Sequence, residues 1–228
     1  MESKGFVSQF GILKGIILPK QNRRIEVLPY ISSTDKLEPG DSKNPYWSKH
    51  QIIGNMGVDF KIGLGSNFTL TGTINPDFGQ VEADPADLNL SAFETFFEER
   101  RPFFLEGTDI FQFGKTRAFR AGSPSIFYSR RIGRNPRGSI IGNSEYEDYP
   151  LQTKIISALK FSGKTNSGLS VGILDAITAK ENAKYRDSTN TETFQAVEPF
   201  ANSLVLRLKQ DLKDGKIIFG GFLTNKQQ

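Results

Sequence analysis

Apolar and polar positions alternate with a period of two through most of the carboxyl-terminal half of the chain. In TKIISALKFSGK, Ile155, Leu159 and Phe161 fall on one face and Ala158, Lys160 and Ser162 on the other. In GLSVGILDAITAK, Leu169, Val171, Ile173 and Ile177 oppose Ser170, Gly172, Ala176 and Thr178. Such alternation predicts two strands with one apolar side each, joined by the polar turn sequence GKTNSG. ENAKYRDSTNTETFQAVEP reads as a long polar loop. NSLVLRLKQDL then sets Leu204, Leu206 and Leu208 against Val205, Arg207 and Lys209. KDGK, with Asp214 and Gly215 at its centre, predicts a tight hairpin into KIIFGGFLTN, which carries Ile217, Phe219 and Leu223 on one face.

The amino-terminal half repeats the pattern. RRIEVLPY predicts a strand ending at Pro29, followed by a polar loop from Ser32 to Lys49. MGVDFKIGL places Val58, Phe60, Ile62 and Leu64 together. NFTLTGTIN answers across the turn LGSN, with Phe68, Leu70 and Ile74 opposite Thr69, Thr71 and Thr73. Tight turns on one side and long connections on the other are the rhythm of an outer-membrane barrel. A β-sandwich with one wet face per sheet has the same periodicity. Glycines within strands, at positions 163, 172, 220 and 221, suit the curvature of a barrel.

The stretch from Pro76 to Phe113 breaks the alternation. Ser91 and Glu94 form a capping box, Phe93, Phe96 and Phe97 share a helical face, Arg100 and Arg101 suit a last turn, and Pro102 stops the helix. This predicts a helix of about ten residues, too short to stand alone in water, so its Phe face must dock on something.

The totals narrow the class. The 228 residues have a net charge of +4, with acids and bases mostly intermixed, no cysteine, one histidine and 19 phenylalanines. Mean hydropathy is −0.38, and no apolar run reaches the length of a membrane-crossing helix, which leaves a membrane β-barrel open. The densest basic run, RRIGRNPR, holds Arg130, Arg131, Arg134 and Arg137. It has neither the aromatic interleaving nor the module that nucleic-acid binding would need. Disulfides, thiolate metal sites and cysteine nucleophiles are excluded.

Two GKT tripeptides lack the glycine a phosphate loop requires; Asp109 and Ala158 stand there instead. GLGSNF is an incomplete dinucleotide fingerprint. A Ser-His-Asp triad would have to use His50, in a polar loop beside Trp47. Calcium, which takes only oxygen ligands, is the one cofactor left open, through Asp77, Glu82, Asp84 and Asp87. Glycoside cleavage needs two placed carboxylates, for which Glu82, Asp84, Glu98, Glu99, Glu106 and Asp109 are available. The favoured alternative is structural: Glu98 and Glu99 pair with Arg100, Arg101, Arg130 or Arg131 and anchor the insert.

NPDFGQVEADPADLNLSAFETFFEERRPFFLEGTDIFQFG followed by IFYSRRIGR closely resembles the domain-of-unknown-function 5916 family, whose members occur mainly in Bacteroidota. The resemblance extends from about residue 10 to 225, through RRIEVLPYIS at one end and VEPFANSLVLRLKQDLKDGKIIFGGFLTN at the other. It implies an outer-membrane β-barrel that commonly follows a module resembling family 9-type carbohydrate-binding domains. It assigns no catalytic residue to the barrel. Family members are several hundred residues longer, so the chain is expected to be a fragment without that module, and no carbohydrate-binding residue carries over.

The resulting expectation is an all-β antiparallel meander. Residues 1–228 form one partial barrel domain of the bacterial outer membrane. Residues 76–113 form a helical insert in the lumen or at the periplasmic mouth. The lumen constellation comprises Asp77, Glu82, Asp84, Glu98, Glu99, Arg100, Arg101, Glu106, Arg130 and Arg131. The expected partners are membrane lipid and polysaccharide, not nucleic acid. The expected role is envelope transport or surface polysaccharide handling rather than catalysis; a membrane-associated glycan hydrolase and a soluble β-sandwich carbohydrate-binding module are the alternatives.

Overall fold

The computed structural model describes residues 15, 24–37, 40, 42–78, 97–111, 126–187, 189–213 and 216–228. It is all-β and antiparallel. Among the described residues ten strands run as β1 (Ile25–Leu37), β2 (His50–Leu64), β3 (Phe68–Ile74), β4 (Tyr146–Asp148), β5 (Ile155–Lys164), β6 (Leu169–Thr178), β7 (Glu181–Arg186), β8 (Glu192–Glu198), β9 (Ala201–Leu212) and β10 (Ile217–Gln227). Seven form an open meander in the order β1-β2-β3-β5-β6-β9-β10, and β4, β7 and β8 form a second, three-stranded sheet. Among the described residues between β3 and β4 lie two short α-helices, α1 (Pro102–Leu105) and α2 (Thr108–Phe111).

Directly paired residues share a face of a sheet, so the register assigns every strand residue to a side. One row crosses all seven strands as Ile25, Ile62, Leu70, Phe161, Ile173, Leu206 and Leu223. The row one residue away, on the opposite face, reads Glu26, Lys61, Thr71, Lys160, Leu174, Val205 and Thr224. The apolar face stays open, with Ile25 62%, Ile31 84%, Met56 69% and Leu223 51% exposed. The other face carries the core. Phe103, Phe104 and Phe111 from the insert pack with Ile132, Ile155, Ala158, Leu174, Ala176 and Val205.

Several local expectations are corrected. Pro29 does not end β1, which continues to Leu37 through residues expected in a loop. β1 is an edge strand, where a missing N–H costs no ladder bond on the open side. Ile155 does not share the face of Leu159 and Phe161. The register shifts between Ile155 and Ser157, and this bulge turns Ile155 into the core while Ile156 stays outside. The polar stretch after β6 is a hairpin, β7–β8, rather than a loop. Its tip is closed by Asp187, whose Oδ1 accepts from the backbone N–H groups of Thr189 and Thr191.

Pro102 opens a helix instead of closing one. It occupies the first turn of α1, where its missing N–H is not needed, and residues 97–101 before it are non-helical. The rest of the expected helix, with Ser91, Phe93, Glu94 and Phe96, lies outside the described residues, as do Glu82, Asp84, Asp87 and the centre of the KDGK turn.

The tight turns β2–β3, β5–β6 and β9–β10 all lie at one end of the meander. Asn67 donates to the carbonyl of Lys164, and Gln210 to that of Ser167, across the neighbouring turns. The long connections, including the insert and the β7–β8 hairpin, leave from the other end.

Candidate functional site

From the long-connection end the insert runs down over the polar face. α1 and α2 reach the middle of the sheet, and the chain returns through Ile132 and Gly133, which meet β5 at Ile155. Gly172 makes room for it. A Cβ at that position would stand 2.8 Å from Ile110 Cγ2 and 3.0 Å from Phe111 Cζ. Gly107, at φ +70°, turns the chain between the two helices, a conformation that side chains other than glycine resist.

Lys160 fixes the depth of this insert. Its side chain is only 2% exposed, and Nζ donates to the backbone carbonyls of Phe103 and Glu106. These belong to the last turn of α1, where unpaired carbonyls favour a cation. Nζ also lies 4.9 Å from the centre of the Phe103 ring. Beside it, Lys61 pairs with the Glu106 carboxylate in a half-exposed setting.

A second anchor holds the neck of the insert. Arg101 Nε donates to Glu99 Oε1 at 2.8 Å and Nη2 to Glu99 Oε2 at 2.7 Å, a bidentate pair. Nη1 donates to the carbonyl of Ile132 at 2.6 Å and Nη2 also to that of Ser129 at 2.9 Å. The guanidinium lies 4.2 Å from the centre of the Phe104 ring. Glu99 further accepts from the Ser129 hydroxyl and the backbone N–H of Arg101. Burial alone would raise its pKa, but the Arg101 and Ser129 contacts outweigh that and hold the carboxyl below the ordinary value. Tyr128 ties the outgoing and returning chains, its hydroxyl bonding both the N–H and the carbonyl of Phe97.

The sequence-derived constellation is thus divided. Glu99 and Arg101 form the buried pair. Arg130 Nε donates to the backbone carbonyl of Glu98 at 2.6 Å and its guanidinium lies 6.0 Å from the Phe97 ring, while Arg131 sits near Tyr128. Arg100 and Glu98 are exposed. Glu106 faces Lys61, and Asp77 accepts from the Ser32 hydroxyl on β1. Lys160, Ser129 and Tyr128 were not singled out as site residues by sequence. The signal for Lys160 was a lysine on the same face as Ala158 and Ser162, flanked by neighbours too small to cover it.

His50 is exposed at the end of β2, with Nδ1 3.4 Å from Asp35 Oδ2, and the nearby Ser48 hydroxyl donates to the His50 carbonyl rather than to its ring. That arrangement is not a nucleophile triad. Among the described residues there is no group of three or more His, Cys, Asp or Glu side chains that could hold a metal, and no helix long and apolar enough to cross a membrane.

Between the long-connection end of β1–β2 and the neck of the insert lies a cleft of about 620 Å³. Ser32, Thr34 and Asn55 line it from the sheet, Arg101 and Arg130 from the insert, and residues 133–135 and 151–155 from the return path.

A family model described as a domain of unknown function, DUF5916, matches residues 22–219. The chain belongs to the DUF5916 family. That span includes β1 to β9 and the first three residues of β10, the insert and its anchors. No curated protein and no solved structure matches the chain.

Proposed function

We propose that this DUF5916 chain supplies part of the wall, and the plug, of a β-barrel in a bacterial outer membrane, serving envelope transport or surface polysaccharide handling. The observation that carries the reading is the unbroken apolar row from Ile25 to Leu223, backed by a face bearing Lys61, Lys160 and Arg207. In water that row would be a large exposed apolar patch; against acyl chains it is the face a barrel presents. From Met56 to Leu64 the apolar side of β2 extends about 26 Å along the strand at the usual rise, comparable with the roughly 25 Å lipid-facing band of such barrels. Tight turns at one end and long connections at the other follow the periplasmic and extracellular ends of the same architecture. On that orientation the insert enters from the outer side, and its described residues 97–111 lie on the lumen side of the wall rather than at the periplasmic mouth.

Handling without cleavage is favoured over the glycan hydrolase. Glycoside cleavage takes two carboxylates flanking the bond. Among the described residues lining the cleft, Asp77 is the one acid, and Glu99 nearby is locked to Arg101 with its proton already lost at neutral pH.

The test uses the full-length protein with Trp47 and any other native tryptophan changed to Phe as background and a single tryptophan at Leu223→Trp or Thr224→Trp. Reconstituted with brominated lipids, fluorescence should be quenched strongly at position 223 and weakly at 224. Equal emission from both, or a protein that partitions into the aqueous fraction without detergent, would discard the reading.

A further inference from the structure

Two arms rise from the long-connection end of the sheet. The last rung of β2 with β3 is Val58 with Ile74, whereas β1 and β2 stay paired for eight rungs more, from Tyr30 with Gly57 to Leu37 with His50. At the usual rise this ribbon stands about 26 Å past β3, and among the described residues no third strand pairs with it there. Two strands alone hold their position poorly in water. The loop at its tip is packed on itself: the N–H groups of Tyr46 and Trp47 bond to the side chain and carbonyl of Asn44, and the Trp47 ring fills the space over Gly40. The second arm is the β7–β8 hairpin, braced by β4 and by the Gln195 amide on the carbonyl of Ser139.

The arms meet at their tips. The Arg186 guanidinium lies 6.0 Å from the centre of the Tyr46 ring, and Glu192 stands opposite Arg186 across the hairpin. Nearer the base, on the same face of the hairpin, Lys184 and Phe194 are exposed, Phe194 to 61%. The cleft is walled by the same two arms closer to their roots: by Ser32, Thr34 and Asn55 of the ribbon, and by the segments that lead into and out of β4. The tip contact itself is incompletely bonded. The Tyr46 hydroxyl is shut off from solvent beside Arg186 and Glu192 without a well-formed hydrogen bond to either. Arg186 Nε is buried and unbonded as well, while Nη1 donates to Asn190 at 2.9 Å. Buried donors without partners cost stability, and both of these regain water when the arms part. Contact and desolvation therefore oppose each other at this one place.

We infer that the β1–β2 ribbon and the β7–β8 hairpin form a clasp that closes and opens the far end of the cleft, with Tyr46 against Arg186 and Glu192 as its catch. The ribbon is the moving arm, because the hairpin is braced by β4 and the ribbon has no such support. The membrane-barrel reading supplies only the side the clasp faces, which is outside the cell; the device itself follows from the two arms and their contact.

Spin labels at Lys49→Cys and Thr191→Cys, both exposed positions near the tips, report the distance between the arms by pulsed electron resonance. The full-length protein in detergent is used, with any native cysteine changed to Ser. A short and a long population are expected. Tyr46→Ala, which removes the catch, should raise the ratio of long to short at least threefold. Tyr46→Phe keeps the ring and removes the unbonded hydroxyl, so it should move the ratio the other way; a fault in folding would not give the two variants opposite signs. Labelling of Thr34→Cys by a polymer-linked maleimide, relative to a small maleimide, should speed up at least threefold with Tyr46→Ala. A single distance that neither variant alters, shifts of the same sign in both, or an unchanged labelling ratio overturns the clasp. The tryptophan quenching above reads the membrane placement separately, so a protein that passes it and shows one fixed distance refutes this proposal alone.

Discussion

Two rows of side chains, one residue apart along every strand, show how this sheet differs from one that folds around a dry centre. The outer row, Ile25 to Leu223, is wholly apolar and half or more open at its ends. The inner row contains a glutamate, two lysines and two threonines, yet Lys160 within it is nearly inaccessible. A water-soluble sheet buries its apolar row. Here the middle of the polar row, Lys160, Leu174 and Val205, is buried, and what covers it is the insert, whose phenylalanines and backbone carbonyls accommodate Lys160 from above. The middle of the inner face therefore needs the insert to be dry, and on the proposed membrane reading the outer face meets lipid.

The largest expected effect comes from removing what holds the plug over that inner row. Glu99→Ala leaves the Arg101 guanidinium in a site where its side chain is 11% exposed, and breaking such a pair from one side costs about 3–5 kcal/mol. Hydrogen exchange should show residues 102–111 losing protection while β5, β6 and β9 keep theirs; uniform loss would mean that wall and plug are one cooperative unit. Acid should do the same to the wild-type protein. Because the folded pKa of Glu99 is depressed, its contribution is full above the unfolded value near 4.3 and disappears as pH falls through the lower folded value. Plug protection that rises on acidification would contradict this sign.

Next in size is a charge on the outer row. Leu206→Arg is expected to lower stability in a bilayer by about 2–4 kcal/mol, the cost of arginine on a lipid face near the midplane. Thr224→Arg, one row over and on the inner face of β10, is expected to cost less than about 0.5 kcal/mol. Denaturant titration in vesicles compares them. Equal costs would erase the distinction between the rows.

The rows themselves were legible in the sequence, because period two is set by backbone geometry and the segments around Leu204, Val58 and Ile173 obey it. What was not legible required knowledge of a neighbour. The bulge at Ile156 is one extra residue that no local pattern announces, and it reversed the side assigned to Ile155. Glu99 and Arg101 stand two apart, a spacing that points to different sides of a helix but to the same side of an extended chain. By sequence, Arg101 stands among the candidate partners of Glu99, but taking residues up to Arg101 as helical left no way to choose between them, and assigning Pro102 as a stop rather than a first-turn residue made the same error. The hairpin β7–β8 was hidden by its polarity, since strands with little apolar burial lack the alternation that marks the others.

Glycine substitutions compare the faces on a finer scale. Gly172→Ala puts a methyl group 2.8 Å from Ile110 Cγ2. Overpacking of that kind costs about 1–3 kcal/mol, against roughly 0.5–1 kcal/mol regained by removing a glycine from a strand. The net expectation is a loss of about 1 kcal/mol, confined to plug protection. On the outer face nothing lies within 4 Å of a Cβ at Gly221, so Gly221→Ala should gain about 0.5 kcal/mol. A gain at both positions would show that the insert does not press on the wall.

The smallest effect separates the two lysines of the inner row. Lys61 and Glu106 form a pair with side chains 39% and 43% exposed, a setting in which an ion pair contributes about 0.2–1 kcal/mol and is screened by salt. Lys61→Ala should therefore change plug protection by about 0.5 kcal/mol at low salt and by less in concentrated salt. Lys160, two strands further along the same row and sealed under α1, has no such access to counter-ions. A salt-independent loss above about 2 kcal/mol for Lys61→Ala would put Lys61 in the dry part of the inner face too, and the edge of the region covered by the insert would have to move from β3 toward β1.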